Sequence, residues 1–148
     1  MRLILAILFS ISLYAESVYT LDHMRSLDIY IANKTPFIGH EEKAEITELL
    51  KTTLSENGFV FDAHDPINLI VAINSKEYDS DEFVINLDFI LAEEVTAHRE
   101  GKDVKTFANT YHTSELIESD EPFVDTMQTI EIMLQQFIKS YKLDNEED

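Results

Sequence analysis

The chain has 148 residues, and its 29 Asp and Glu against 11 Lys and Arg give a formal net charge of −18. A surface this acidic repels phosphate backbones and anionic lipid headgroups, so no nucleic-acid partner is expected. The chain contains no cysteine, which removes disulfides, cysteine nucleophiles and a lipid-bearing cysteine from consideration.

The residues 1–15 have the pattern of a secretory signal peptide. Arg2 supplies a positive charge, and an apolar run from Leu3 to Leu13 contains no ionisable group. At about a dozen residues, this run is shorter than the roughly 20 that a membrane-spanning helix needs. Cleavage is expected after Ala15, which predicts an exported, periplasmic mature chain that does not span the membrane. An uncleaved anchor and a buried N-terminal helix are the alternatives.

The remaining sequence predicts one domain over residues 16–143 and a frayed acidic tail over 144–148. Only three glycines and three prolines occur in the whole chain, and no repeat, linker or low-complexity segment interrupts it. A chain of this size can bury roughly two thirds of its unfolded surface, so its core needs no disulfide.

The first elements are a strand and a helix. Leu27, Ile29 and Ile31 alternate with more polar residues, which predicts a half-buried strand. A helix is predicted over 41–57, opening with glutamates and ending at Asn57-Gly58. Its apolar stripe, at spacings of three and four, is Ile46, Leu49, Leu50, Thr53 and Leu54.

Three more strands are predicted in the middle of the chain. The second strand covers the alternating run from Ile67 to Ile73, and the polar run 75–82 reads as a reversal. The third strand covers 83–99, with apolar residues on one face and Asn86 and Asp88 on the other. The fourth strand, over 103–112, returns after a loop at 100–102.

The length of this last loop is predicted from strand register. A three-residue loop pairs Leu91 with Tyr111 and keeps the apolar residues of both strands on one face. A two-residue loop would set the two apolar rows on opposite faces, so the longer loop is favoured.

The final helix begins near Pro122, with Asp120 or Glu121 beside its exposed amides. Its stripe is Phe123, Met127, Ile130, Leu134, Phe137 and Tyr141. The element order β-α-β-β-β-α predicts an α+β fold with a four-stranded, mainly antiparallel sheet and two helices on one face. The other face is expected to be polar or half-polar, with Tyr30, Tyr78, Tyr111 and Phe83 as candidates for partly exposed aromatic residues.

No catalytic, cofactor-binding or metal-binding residue is assigned. The chain lacks the G-x-S-x-G elbow, glycine-rich phosphate loops and H-E-x-x-H, so an enzyme is not expected. The acidic run of Glu77, Asp79, Asp81 and Glu82 is interpreted as a solvated turn, with a cation site as the alternative. It lacks the glycine and the distal glutamate of the helix-loop-helix calcium site.

The histidines and two glutamates are further candidates for a functional role. The predicted register places His98 near Val104 and His112 near Ile90, too far apart to share an ion. Structural or solvent roles are expected for all five histidines; the other three are His23, His40 and His64. Glu93 and Glu94 interrupt the apolar alternation, which indicates either a bulge or a recognition patch, opposite Asn109 and Ala108.

The stretch from Ala44 to Ala92 carries a resemblance to a known family. The helix Ala44–Leu50, the run Ser55-Glu56-Asn57-Gly58-Phe59 and the strands Ile67–Ala72 and Phe83–Leu87 resemble the amino-terminal domain of TolB. That fold class includes periplasmic accessory domains of envelope-assembly machines, among them the lipopolysaccharide-assembly lipoprotein type. The lipobox cysteine and the propeller are missing, and no functional residue is carried over.

The resemblance implies a non-catalytic periplasmic accessory or adaptor domain that binds envelope proteins. The expected binding surface is an open sheet edge or the sheet face away from the helices. The alternative is a periplasmic protein that binds a small ligand or a divalent cation, between the helices and the sheet or at the acidic turn.

Overall fold

The structure is a computed structural model, and it describes residues 21–61 and 67–145. Its elements are β1 Asp28–Lys34, α1 His40–Glu56, β2 Asn68–Asp79, β3 Glu82–Arg99, β4 Lys102–Ser119 and α2 Pro122–Asn145. The predicted α+β fold with the order β-α-β-β-β-α is therefore confirmed. The predicted signal peptide and His64 lie outside the described residues.

The four strands form one sheet in the order β1-β2-β3-β4. The strand β1 is parallel to β2, whereas the β2–β3 and β3–β4 pairs are antiparallel. Parallel neighbours need a crossover connection, and α1 supplies it on the face that also receives α2. This arrangement leaves β1 and β4 at the edges of the sheet.

The core lies between the sheet and the two helices. Each strand directs alternate side chains to this layer, because successive side chains of a strand point to opposite faces. The helices meet them with Ile46, Leu50 and Leu54 from α1 and with a broader stripe from α2. Fully buried sheet residues of this layer include Leu69, Val71, Ile73, Ile85, Leu87 and Phe89.

The end of α1 follows the sequence prediction. Gly58 has a φ of 90°, in the left-handed region where a residue without a Cβ is favoured. Its amide donates to the Ser55 carbonyl at 3.0 Å, and the Phe59 amide donates to the Leu54 carbonyl at 3.1 Å. These bonds satisfy two carbonyls of the last helical turn and bring the buried Phe59 back onto the core.

Two strands are longer than the sequence indicated. The predicted reversal at 75–82 is wrong, because β2 continues to Asp79 and only Ser80 and Asp81 form the turn. Likewise, β4 does not end at 112 but continues to Ser119. Backbone pairing with β3 stabilises these extensions whatever their side chains, so hydrophobic alternation alone did not show them.

The loop between β3 and β4 has two residues, so the predicted three-residue loop is wrong. Glu100 and Gly101 both have positive φ, 49° and 75°, as the tight primed hairpin turns require. A bulge between Leu91 and Ala92 then shifts the register by one residue. The predicted pair Leu91–Tyr111 is nevertheless correct, because the bulge offsets the shorter loop. In the part of the sheet that the helices cover, the apolar residues of β3 and β4 therefore lie on one face.

This turn yields a first testable prediction. Glu100 has a side chain in the left-handed region, which costs roughly 1 kcal/mol relative to a tolerant residue. Glu100→Asn should therefore slow hydrogen exchange of the hairpin amides at 92–109, because it raises the free energy of local opening by about 0.5–1 kcal/mol. Glu100→Gln is the control, since it removes the same charge without the conformational benefit. Equal protection in both variants would contradict this account.

Both ends of α2 are held by side chains. The Ser119 hydroxyl, rather than Asp120 or Glu121, accepts the Glu121 amide at 3.0 Å and donates to the Asp125 carboxylate at 2.6 Å. At the other end, the carboxylate of Asp144 accepts the Leu21 amide at 2.7 Å. The helix runs to Asn145, so the first two residues of the predicted tail are helical.

Candidate functional site

The face of the sheet opposite the helices has no covering layer among the described residues. We call it the open face. Sheet register identifies its members, because directly paired residues share a face. From β1 to β4 they include Tyr30, Ala32, Lys34, Ile70, Ala72, Asn74, Lys76, Val84, Asn86, Asp88, Ile90, His112, Ser114, Leu116 and Glu118.

Four polar side chains form a connected cluster at the centre of the open face. The Asn86 amide donates to one Asp88 carboxylate oxygen at 2.6 Å, and His112 Nε2 lies 2.9 Å from the other. The Ser114 hydroxyl donates to the Asn86 amide oxygen at 3.2 Å. Asn86, Asp88, His112 and Ser114 are called the polar cluster below. They join β3 to β4 by side-chain bonds as well as backbone bonds.

The Asp88 carboxyl is the electrostatic centre of this cluster. Partial burial by itself would raise its pKa, but His112, the nearby Ser114 hydroxyl and Asn86 together outweigh burial and hold the pKa below its ordinary value. About a fifth of the Asp88 side chain is exposed, with a relative accessibility of 19%, against 43% for His112. The charged carboxylate is thus a stable feature of the open face at neutral pH.

The cluster contains an aspartate, a histidine and a serine, but their bonds do not link a nucleophile to a base. Serine nucleophiles are activated by a hydrogen bond to a histidine nitrogen. Here the Ser114 hydroxyl donates to Asn86, while His112 Nε2 contacts Asp88. The four side chains of the polar cluster instead present a fixed set of hydrogen-bond donors and acceptors to the solvent.

Apolar side chains lie on both sides of the polar cluster. Tyr30 on β1 is 59% exposed and Leu116 on β4 is 68% exposed, while Ile70 and Ile90 between them are partly buried. Exposed apolar side chains beside hydrogen-bonded polar groups give this face the mixed composition that protein-binding surfaces also have. Tyr78 is also exposed, as predicted, but Tyr111 is buried and packs edge-on against Phe137 at 5.2 Å.

Beyond the bulge, β3 and β4 continue past β2 as a two-stranded ribbon, residues 92–109, which we call the arm. The pairing of β2 with β3 ends at Ala92. Lys105 Nζ binds Glu94 at 2.6 Å across the arm, and this bond raises the lysine pKa. Phe107, opposite Glu94, is 64% exposed. The arm therefore extends the open face with a further apolar side chain.

Several candidate residues from the sequence analysis lie on the arm or beside it, and the strand pairing shows their partners. His98 pairs with Asp103, not Val104, and its ring contacts that carboxylate at 2.5 Å. His112 does lie opposite Ile90, as predicted. The bulge that interrupts the alternation lies in the ladder beside Glu93 and Glu94. The one-residue shift places these glutamates opposite Ala108 and Phe107 instead of Asn109 and Ala108.

The acidic turn does not gather its carboxylates into a site. Asp79 pairs with Glu82 across the turn, whereas Glu77 pairs with Phe83. The hydrogen bond from Tyr78 to Glu82, with burial and the neighbouring carboxylates, raises the pKa of the Tyr78 phenol. Within residues 21–61 and 67–145, no group of three or more His, Asp or Glu side chains is placed to hold a metal ion.

Sequence reasoning missed one of the four residues of the polar cluster. Asn86 and Asp88 are predicted on the polar face of β3 and His112 opposite Ile90, but Ser114, like Leu116 beside the cluster, lies beyond the predicted end of β4. The signal that could have found them is the β-branched pair Thr113 and Ile117, which continues the strand alternation after Tyr111.

Open grooves lie on the outer surfaces of the helices. One of about 610 Å³ runs between the two helices and is lined by Leu49, Thr53, Glu131, Ile132, Leu134, Gln135, Gln136 and Lys139. Another, of about 650 Å³, follows the flank of α1. No helix in the described part of the chain has both the length and the apolarity to cross a membrane.

Comparison with known proteins identifies no family. No family model and no curated protein matches the chain. Among solved structures, a minor lipoprotein from Acinetobacter baumannii is similar at 18% identity, over 81% of this chain and 84% of that chain, with a TM-score of 0.31. A likeness at this TM-score does not establish a shared fold.

Proposed function

We propose that the protein is a non-catalytic periplasmic adaptor that binds another envelope protein through its open face. The observation that supports this proposal is the uncovered mixed surface in which exposed Tyr30 and Leu116 flank the Asp88 polar cluster. Such a surface offers apolar area for affinity and fixed polar groups for specificity.

The charge of the chain agrees with this role. A net charge of −18 favours solubility and disfavours self-association in spite of the exposed apolar residues. The hydrogen bonds among Asn86, Asp88 and His112 fix their side chains before a partner arrives. Ordering the surface in advance lowers the entropic cost of association.

A site-specific crosslinking experiment tests the proposal. A photoreactive amino acid at Leu116 should give a discrete crosslinked product in envelope extracts, because this exposed side chain lies within the proposed interface. The same amino acid at Ile132, which is 58% exposed on α2, is the matched control and should give none. Silence at position 116, or equal products at both positions, would refute binding through the open face.

The carrier alternative makes a different prediction. Titration calorimetry with calcium, zinc and manganese at physiological salt should show no tight binding if the chain is an adaptor. Tight, saturable binding of any of these ions would favour the carrier instead. The acidic turn would then be tested with Glu77→Gln and Glu82→Gln.

A further inference from the structure

The free edge of β1 is a second feature of the sheet that the open face does not include. On one side, β1 pairs with β2 from Asp28 to Lys34. The Asp28 amide donates to the Ile67 carbonyl of the β2 side at 2.9 Å. Backbone groups alternate in direction along a strand, so Ile29, Ile31 and Asn33 direct their amides and carbonyls to the opposite side. Just before β1, this side is bonded to the segment at Val60, whose carbonyl accepts the Leu27 amide at 3.1 Å. From Ile29 to Asn33, no strand among the described residues covers it.

A groove of about 450 Å³ separates this edge from the start of α1. It is lined by Tyr30, Ile31, Ala32, Asn33, Lys34, Ile38, Gly39, His40 and Lys43. The groove along the flank of α1 shares His40 and Lys43 with it and continues to Lys51. From His40 to Lys51 the helix rises about 17 Å, which matches roughly five residues of extended chain.

The charge of this edge is opposite to that of the molecule. Lys34 and Lys43 line the groove beside the edge, and no Asp or Glu is among its lining residues. Lys43, Thr47 and Lys51 recur every four residues and so share the flank of α1 that faces the groove, where Glu48 is the one carboxylate among the lining residues. In a chain of net charge −18, this concentration of lysine is a local exception.

One of these lysines reaches around the edge itself. Lys43 Nζ lies 5.9 Å from the centre of the Tyr30 ring, which belongs to the open face on the other side of β1. The ammonium therefore lies beside the unpaired backbone, where it can contact a carboxylate on an added strand. The positive end of the α1 macrodipole points to the same groove.

We propose that the edge of β1 binds an extended, acidic segment of a partner protein, which adds to the sheet as a fifth strand. Backbone bonds to Ile29, Ile31 and Asn33 supply the pairing, and Lys34, Lys43 and Lys51 select carboxylates. This inference rests on the proposed adaptor function and names the chemistry of the partner. A second copy of the chain is disfavoured as the occupant, because each copy brings the same lysines and the same net negative charge.

The test uses fluorescence anisotropy with a labelled eight-residue peptide in which valine and glutamate alternate. We expect saturable binding to the full mature chain that weakens with added salt. A valine-lysine peptide of the same length should not bind. The valine-glutamate peptide with every backbone nitrogen methylated should bind at least about tenfold more weakly, because it cannot donate to the edge.

Variants locate the binding on the protein. The double variant Lys43→Glu, Lys51→Glu should bind the valine-glutamate peptide at least about tenfold more weakly, because two charges beside the edge are reversed. Lys139→Glu with Lys142→Glu, on α2, makes the same change in net charge and should leave affinity nearly unchanged. Thermal unfolding of both double variants checks that neither change disturbs the fold.

Each other outcome overturns the inference. Binding of the methylated peptide as tight as the parent would show charge attraction without strand addition, and equal loss in both double variants would show a general charge effect. If none of the peptides binds, the lysines serve instead to prevent other strands from pairing with the β1 edge. If Leu116 still crosslinks to an envelope protein in that case, the adaptor function stands. Peptide binding without that crosslink would instead contradict binding through the open face.

Discussion

Replacing Phe137 by alanine should lower the free energy of unfolding by about 3–5 kcal/mol. The ring is fully buried where α2 crosses the sheet, and it contacts Tyr111 edge-on at 5.2 Å and Phe59 at 6.0 Å. Alanine would remove this apolar area from the core and leave a cavity. The neighbouring side chains belong to different elements that are closely packed, so they cannot move far enough to fill it.

The measurement is urea unfolding followed by circular dichroism, with Ile132→Ala as the control on the same helix. Ile132 is 58% exposed, so its truncation should cost less than about 1 kcal/mol. Similar losses in the two variants would mean that the apolar row of α2 does not face the sheet. The fold described here would then be wrong.

Replacing Asp88 by alanine should lower the free energy of unfolding by about 1–3 kcal/mol at neutral pH, since hydrogen bonds to a partly buried charged group are removed. The cost should depend on pH in a defined direction. The folded-state pKa of Asp88 lies below its unfolded value, about 3.9, because His112, Ser114 and Asn86 stabilise the carboxylate. Its contribution is therefore complete above the unfolded pKa and is lost as pH falls through the folded pKa.

The difference in unfolding free energy between the native chain and Asp88→Ala should thus shrink as pH is lowered from about 6 toward 3. Asp103→Ala is the matched control, because this carboxylate on the arm is 70% exposed. Its removal should have a small effect at every pH. A deficit for Asp88→Ala that stays constant across this range would show that the carboxylate is not held by the polar cluster.

The two surface proposals differ in what they require of the molecule. The open face needs the polar cluster intact, so Asp88→Ala should also weaken the crosslink at Leu116. The β1 edge lies across the sheet from the cluster and depends on backbone groups and three lysines, so the same variant should leave peptide binding unchanged. The surfaces can therefore be tested separately in one set of proteins.

The sequence by itself determined the element types, their order and most of the core. The stripes of both helices and the alternating runs from Ile67 and Phe83 are periodic because one face of each element is buried, and this periodicity is readable without coordinates. Asn57-Gly58 was also readable, because a left-handed residue after a helix favours glycine.

Only the tertiary structure decided the strand ends, the bulge and the composition of the open face. The last residues of β2 and β4 are held by backbone bonds to β3, and backbone pairing leaves no mark on side-chain polarity. The two-residue turn and the bulge shift the register in opposite senses. The pairing of Leu91 with Tyr111 is therefore the same for a three-residue loop without a bulge and for a two-residue turn with one, and alternation near these residues does not distinguish them. The contact of His112 with Asp88 joins residues 24 positions apart, and such a pairing depends on register that local patterns do not specify.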